Sequence, residues 1–148
     1  MTPARGAGRG VLATVLAAQA LRTLGYGLAA VQLGAVLRDQ LKRARAAGFT
    51  RDQLANSYAG PLFAALVAKG FVKEARRVWD RDLYGGETIG DMDLPLRTRV
   101  LSSRVELARM EANVGDIDAY SARWVDEMKK AGLASQLVYA LTQRAKFL

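Results

Sequence analysis

Neither cysteine nor histidine occurs anywhere in the 148 residues. That excludes disulfides, thiol nucleophiles, Cys/His zinc sites and any acid–base mechanism that runs through an imidazole. Proline is scarce, at 3 residues. The Val/Ile/Thr alternation of half-buried strands is missing, so a β architecture has little to be built from. Acid is missing from the first 38 positions. The first carboxylate is Asp39, which leaves Arg5, Arg9, Arg22 and Arg38 unopposed. A long apolar run is missing too. A spanning helix needs about 20 consecutive apolar residues. Arg22 cuts the stretch 11–37 into pieces of 11 and 15 residues, and Gln19, Gln32, Gly25, Gly27 and Gly34 weaken it further. Two docked helices are the expected outcome there, not a membrane span.

What is present is a chain of one domain's length, 51% apolar, with 22 Lys and Arg against 14 Asp and Glu, a net charge of +8. The apolar share supports a packed core, and the charge favours an anionic partner. Ala, Leu, Arg and Gln dominate, so the chain reads as all-helical. Thr2 to Gly10 forms a flexible basic lead. Val11–Leu24 and Leu28–Ala47 read as the first two helices, broken at Gly25-Tyr26-Gly27, and Gly48 stands where a C-terminal glycine cap belongs. Thr50 and Gln53 form a capping-box pattern that opens the third helix. Gly60-Pro61 should kink that helix or restart it, and it stops at Gly70. A fourth helix spans Phe71 to Leu83. An acidic connection, YGGETIGDMD, precedes a fifth helix with Pro95 in its first turn, ending near Val114 and Gly115. Ile117, Tyr120, Trp124, Met128 and Ala131 form one stripe of a sixth, closed by Gly132, and a last helix fills Ser135–Lys146.

The strongest organisational signal is a repeat. Gly25, Gly70 and Gly115 recur at a step of 45, as do Trp79 and Trp124. The reading is a single helical-repeat domain over 11–148. Its helix–turn–helix units lie at about 11–48, 50–86 and 95–132, followed by the final helix 135–146. Such units bury their faces by stacking on neighbours.

The stretches AALVAKGFVKEARRVWDRDLYGG and ARMEANVGDIDAYSARWVDEMKKAGL resemble the central and C-terminal parts of pentatricopeptide repeats. Gly115, Ala119, Trp124, Met128 and Gly132 carry the resemblance in one unit, and Gly70, Glu74, Ala75, Trp79 and Gly86 in the other. It covers roughly residues 54–134. The period of 45 exceeds that family's, which is about 35, and HEAT-like and tetratricopeptide repeats are the alternative classes. In RNA-reading members the chief base-reading position lies ten residues before the glycine. Here it falls on Gly60 and Val105, which offer no hydrogen-bonding side chain. The resemblance therefore implies a repeat protein that contacts RNA, if at all, through phosphates.

Arg38, Lys42, Arg43 and Arg45 crowd one helix with Asp39 as their only acid. Arg38, Lys42 and Arg45 share a face. Arg76, Arg77 and Arg81 form a second basic group, and Arg123, Lys129 and Lys130 a third. Arg38, Lys42, Arg43, Arg45, Arg76 and Arg77 are the candidate contacts to RNA backbone or to an acidic protein surface, against the alternative of a solvated helix face. Asp80, Asp82, Gly85 and Asp91 mimic positions of a calcium loop, but Tyr84 and Glu87 occupy the wrong places. No metal, no cofactor and no catalytic constellation is expected.

These features lead to a non-catalytic scaffolding subunit of an organellar assembly, with other protein subunits as its partners. The resemblance points to a ribonucleoprotein such as a mitochondrial or plastid ribosome. The acid-free, Arg-bearing N-terminal composition suits an organellar transit or matrix-facing segment, and also an ordinary helix pair. The alternatives are an accessory subunit of a respiratory or photosynthetic membrane complex and a free RNA-binding factor.

Overall fold

The computed structural model describes residues 30–147. The expected helix Val11–Leu24 and the Gly25-Tyr26-Gly27 break lie outside the described residues. Within them the fold is all-α: 85% helical, six helices, no strand. No helix among them is long and apolar enough to cross a membrane. The chain divides after Asp91 into two compact units, inside the acidic connection.

In the first unit α1 spans Ala30–Ala46. The second helix, α2, is continuous through Arg51–Leu54, Ala55–Ala59 and Gly60–Ala68. Thr50 and Gln53 form the expected capping box. The middle segment is π-helical, and the Gly60 amide donates to the Ala55 carbonyl five residues back. Proline at 61 has no N–H to bond the preceding turn and its ring crowds that turn. The wider π turn sits immediately ahead of it, and Pro61 then stands in the first turn of the α segment. The third helix, α3, runs through Val72–Arg77 and widens into a π turn over Val78–Asp82.

The core of this unit is Leu62, Phe63 and Leu66 of α2 against Ala75, Val78, Trp79 and Leu83, all buried. The rings of Phe63 and Trp79 lie 5.3 Å apart, tilted by 42°. After α3 the chain makes two 3-10 turns, Tyr84–Gly86 and Ile89–Asp91. This acidic connection is tied back to the start of α2. Arg51 pairs with Glu87 and its guanidinium lies 3.8 Å above the Tyr84 ring. The Asn56 amide donates to the Asp91 carbonyl at 3.4 Å. Gly86 is required twice over: its φ is +96°, and a Cβ there would sit 2.9 Å from the Trp79 ring.

The second unit is three consecutive antiparallel helices: α4, Leu94–Met110; α5, Val114–Ala131; and α6, Ala134–Phe147. Asp93 caps α4 by accepting from the Leu96 amide at 3.0 Å, with Pro95 in the first turn as expected. The helix does not reach Val114. It ends at Met110, Ala112 takes the left-handed conformation (φ 54°), and Asn113 caps α5 by accepting from the Asp116 amide. Gly115 thus lies inside the first turn of α5, and the chain reverses three residues earlier. The reason is visible in the hydrogen bonds. At Gly48, Gly70, Ala112 and Gly132 alike, the left-handed residue donates three residues back and its successor donates five back, the closure that satisfies the last carbonyls of a helix.

Trp124 is 3% exposed and packs edge-on against Tyr139 of α6, ring centres 5.7 Å apart. This ring contact is with the helix that follows. Arg104 of α4 is buried, bonded to Asp116 at 2.8 Å and stacked over Tyr120. Arg144 of α6 reaches Asp118 and the Ser121 hydroxyl, both at 2.6 Å. Two arginines, one from each flanking helix, thus clamp the N-terminal half of α5, where acid also favours the helix dipole.

Trp124→Ala should cost about 3–5 kcal/mol in urea unfolding, as large core truncations do. A loss below about 1 kcal/mol would make the ring a surface group. The two left-handed positions should respond with opposite sign. Gly86→Ala should destabilise by about 2–4 kcal/mol through strain and the clash with Trp79. Ala112→Gly should stabilise by about 0.5–1 kcal/mol.

Candidate functional site

The cations singled out on α1 and α3 do not act as one patch. Arg38, Lys42 and Arg45 rise along α1 at helical spacing and form one wall of a groove of about 370 Å³. Arg77 and Arg81 of α3 form the facing wall, with Leu41 and Val78 between them and Glu74 and Asp82 completing the lining. The groove holds five cations and two acids. Leu41 and Val78 are buried, so the open apolar surface is largely the stems of the long basic side chains.

Arg43 and Arg76 are turned out of this groove. Arg43 pairs with Asp39 at 3.0 Å and Arg76 with Asp80 at 3.6 Å, each within its own helix. Arg38, Lys42, Arg77 and Arg81 form no salt bridge among the described residues, although the Arg81 charge acts on Asp82. Of the six candidate contacts, therefore, Arg38, Lys42, Arg45 and Arg77 converge, and Arg43 and Arg76 do not. In the second unit Lys130 is engaged by Asp126 at 2.9 Å.

Sequence reasoning placed Asp82 in an acidic stretch and Glu74 in a repeat motif, and missed both as groove residues. The signal was present. Positions 74, 77, 78, 81 and 82 share one helical face. Of the acids at the end of α3 and in the connection, Asp80 is taken up by Arg76, Asp82 by Arg45, Glu87 by Arg51, and Asp93 by the start of α4. Among the described residues no group of acids could hold a metal ion.

Asp82 is the unusual member. Its Oδ1 accepts from Arg45 Nη2 at 3.3 Å, and its side chain is 12% exposed. Burial pushes its carboxyl up to about 6, against the downward pull of the Arg45 and Arg81 guanidiniums. Beneath it the Tyr58 hydroxyl is buried without a hydrogen-bond partner. Burial first, and the Asp82 charge second, push that phenol far above its usual range.

The two positions that the pentatricopeptide resemblance would assign to base reading lie in the core. Gly60 is buried inside α2 and Val105 is 1% exposed on α4. No family model, no curated protein and no solved structure matches the chain. The functional reading therefore rests on the geometry and charge of the groove.

Between the ordinary value of 3.8 and the folded value of about 6, the folded chain holds the Asp82 proton and the unfolded chain does not. The folded state binds more protons in that window, so stability falls as pH rises through it. A displacement of that size is worth roughly 3 kcal/mol. Asp82→Asn should flatten the fall and be the more stable protein at about pH 7, as read by urea midpoints at both ends of the window. Parallel curves for the two proteins would show that Asp82 is as well solvated folded as unfolded.

Proposed function

We propose that this chain is a non-catalytic, pentatricopeptide-like helical-repeat scaffold that belongs to a ribonucleoprotein assembly of an organelle, such as a mitochondrial or plastid ribosome, and that its first unit holds RNA by the phosphate backbone. The observation that carries this reading is the α1–α3 groove, where four cations that form no salt bridge among the described residues face each other across two helices. Like charges brought together on a helix cost a few tenths of a kcal/mol per pair. A polyanion laid between the walls offsets that cost.

The arrangement favours a chain of charges over a single compact anion. Arg38, Lys42 and Arg45 advance along α1 in steps of about 6 and 4.5 Å. Arg77 and Arg81 advance along α3 by about 6 Å. Rows of this kind follow a backbone, and phosphate contacts position a nucleic acid without reading it. The buried base-reading positions at Gly60 and Val105 agree with contact of this sort.

Two double variants test the assignment. Lys42→Gln with Arg77→Gln removes one cation from each wall. It should weaken binding of short single-stranded RNAs by about tenfold at ~100 mM salt, equally for all sequences. It should also reduce the slope of log Kd against log salt by about 1.4, two contacts' worth. Arg43→Gln with Arg76→Gln, outside the groove, should leave both quantities near the parent values. If the parent ignores RNA and binds polyglutamate, the groove serves an acidic protein. If one RNA sequence alone loses affinity, bases are being read and the scaffold reading fails.

A further inference from the structure

We infer that Asp82 is a built-in counter-anion of the α1–α3 groove: as a carboxylate it holds Arg45 against the entry of an RNA phosphate, and on protonation it releases Arg45 to that phosphate. The inference rests on the RNA reading above and adds regulation by acidity to it.

Arg45 differs from the other four cations of the groove. It alone is engaged by a groove carboxylate, while its own side chain remains about half exposed, 54% against 12% for Asp82. It therefore spans from the buried acid to the open side of the groove. The bond is long, at 3.3 Å, against roughly 2.7–2.9 Å for a strong charge-assisted pair. A phosphate at the mouth of the groove presents the same guanidinium with a second anion. The two anions compete for one cation and repel each other across it.

The surroundings give the competition its direction. Arg45 faces Asp82 from α1, Tyr58 from α2, and Arg81 from its own helix. Arg38, Lys42, Glu74 and Arg77 line the same groove. The Tyr58 hydroxyl donates no hydrogen bond to the carboxylate, so no donor from below anchors its charge. Desolvation already favours the neutral acid, and a bound phosphate adds to that preference. RNA binding and proton uptake are then linked: each promotes the other. The chain contains no histidine, so no imidazole contributes a competing titration in the same range.

The test uses the full chain and a rhodamine-labelled oligouridylate, whose bases do not titrate in acid, read by fluorescence anisotropy at about 50 mM salt. Between about pH 7.5 and about pH 5.5 the Kd of the parent should fall roughly three- to tenfold. Asp82→Asn should bind at pH 7.5 as tightly as the parent does at pH 5.5, with little further change on acidification. Glu74→Gln, which removes the other groove acid but leaves the Arg45–Asp82 pair, should keep the parent's pH response. A second measurement needs no variant. Calorimetry at about pH 6.5 in two buffers of different ionisation enthalpy should show a fraction of a proton taken up on binding. A parent that binds with no pH response and no proton uptake, or an Asp82→Asn protein that keeps the parent's pH response, overturns the role of Asp82 while leaving the groove in place. A parent that fails to bind at either pH removes the groove reading, and this inference with it.

Discussion

The contact between Trp79 and Phe63 is the constraint on which the first unit depends. A ring the size of indole, 2% exposed, fixes α3 on α2 in both rotation and height. Gly86 closes the contact from the far side, where any side chain would strike the ring. With Trp79 held inward, Arg77 and Arg81 are carried to the adjoining face of the same helix, and Asp82 to its edge. Each large buried aromatic contributes several kcal/mol of burial. A helix so anchored can hold charged residues toward α1 without turning away from them. The cationic groove is therefore a consequence of apolar packing one residue position away.

The electrostatics follow from that anchoring. Exposed like charges on a single helix repel weakly, because water screens them. Five cations on two facing helices repel more, since each wall excludes water from the other. Two acids in the groove relieve part of this. Asp82 is buried enough that its charged form is disfavoured even beside Arg45. The relief is thus incomplete by construction. A groove neutralised by exposed acids would have no remaining affinity for an anion, and a groove without acids would strain the packing of α1. The arrangement lies between the two.

Much of the architecture was legible in the sequence, for reasons that differ by element. The capping box at Thr50 and Gln53, the stop at Gly70 and the cap at Gly132 are local signals, and local signals survive folding. The register of the second turn was not legible. Ala112 adopts a backbone conformation that alanine rarely takes, while Gly115, the residue that advertises a turn, sits in a helix. The π turns at Ala55–Ala59 and Val78–Asp82 also left no pattern in the sequence. The first is coupled to the proline that follows it. The division of the basic residues was half legible. Helical spacing separates Arg38, Lys42 and Arg45 from Arg43 on α1. It cannot say which helix that face meets, because partner choice is set by long-range packing. Asp82 was misplaced for the same reason: in sequence it belongs to an acidic run, and in space to a basic groove.

A binding site made of phosphate contacts alone is weak and indiscriminate in free solution, because it reads charge and spacing and nothing else. Its usefulness depends on how it is presented. Held in an assembly beside one stretch of RNA, the same groove meets its ligand at an effective concentration that other contacts set, and modest intrinsic affinity then suffices. Burial of Gly60 and Val105 carries no penalty in that setting, since location replaces sequence as the source of specificity. On the proposed RNA reading, the burial of Val105 and Gly60 and the exposure of Arg38, Lys42, Arg77 and Arg81 belong together. With Gly60 and Val105 in the core, the RNA reading proposed above leaves the chain only a contact that any RNA can satisfy, which suits a scaffold and not a free sequence-reading factor.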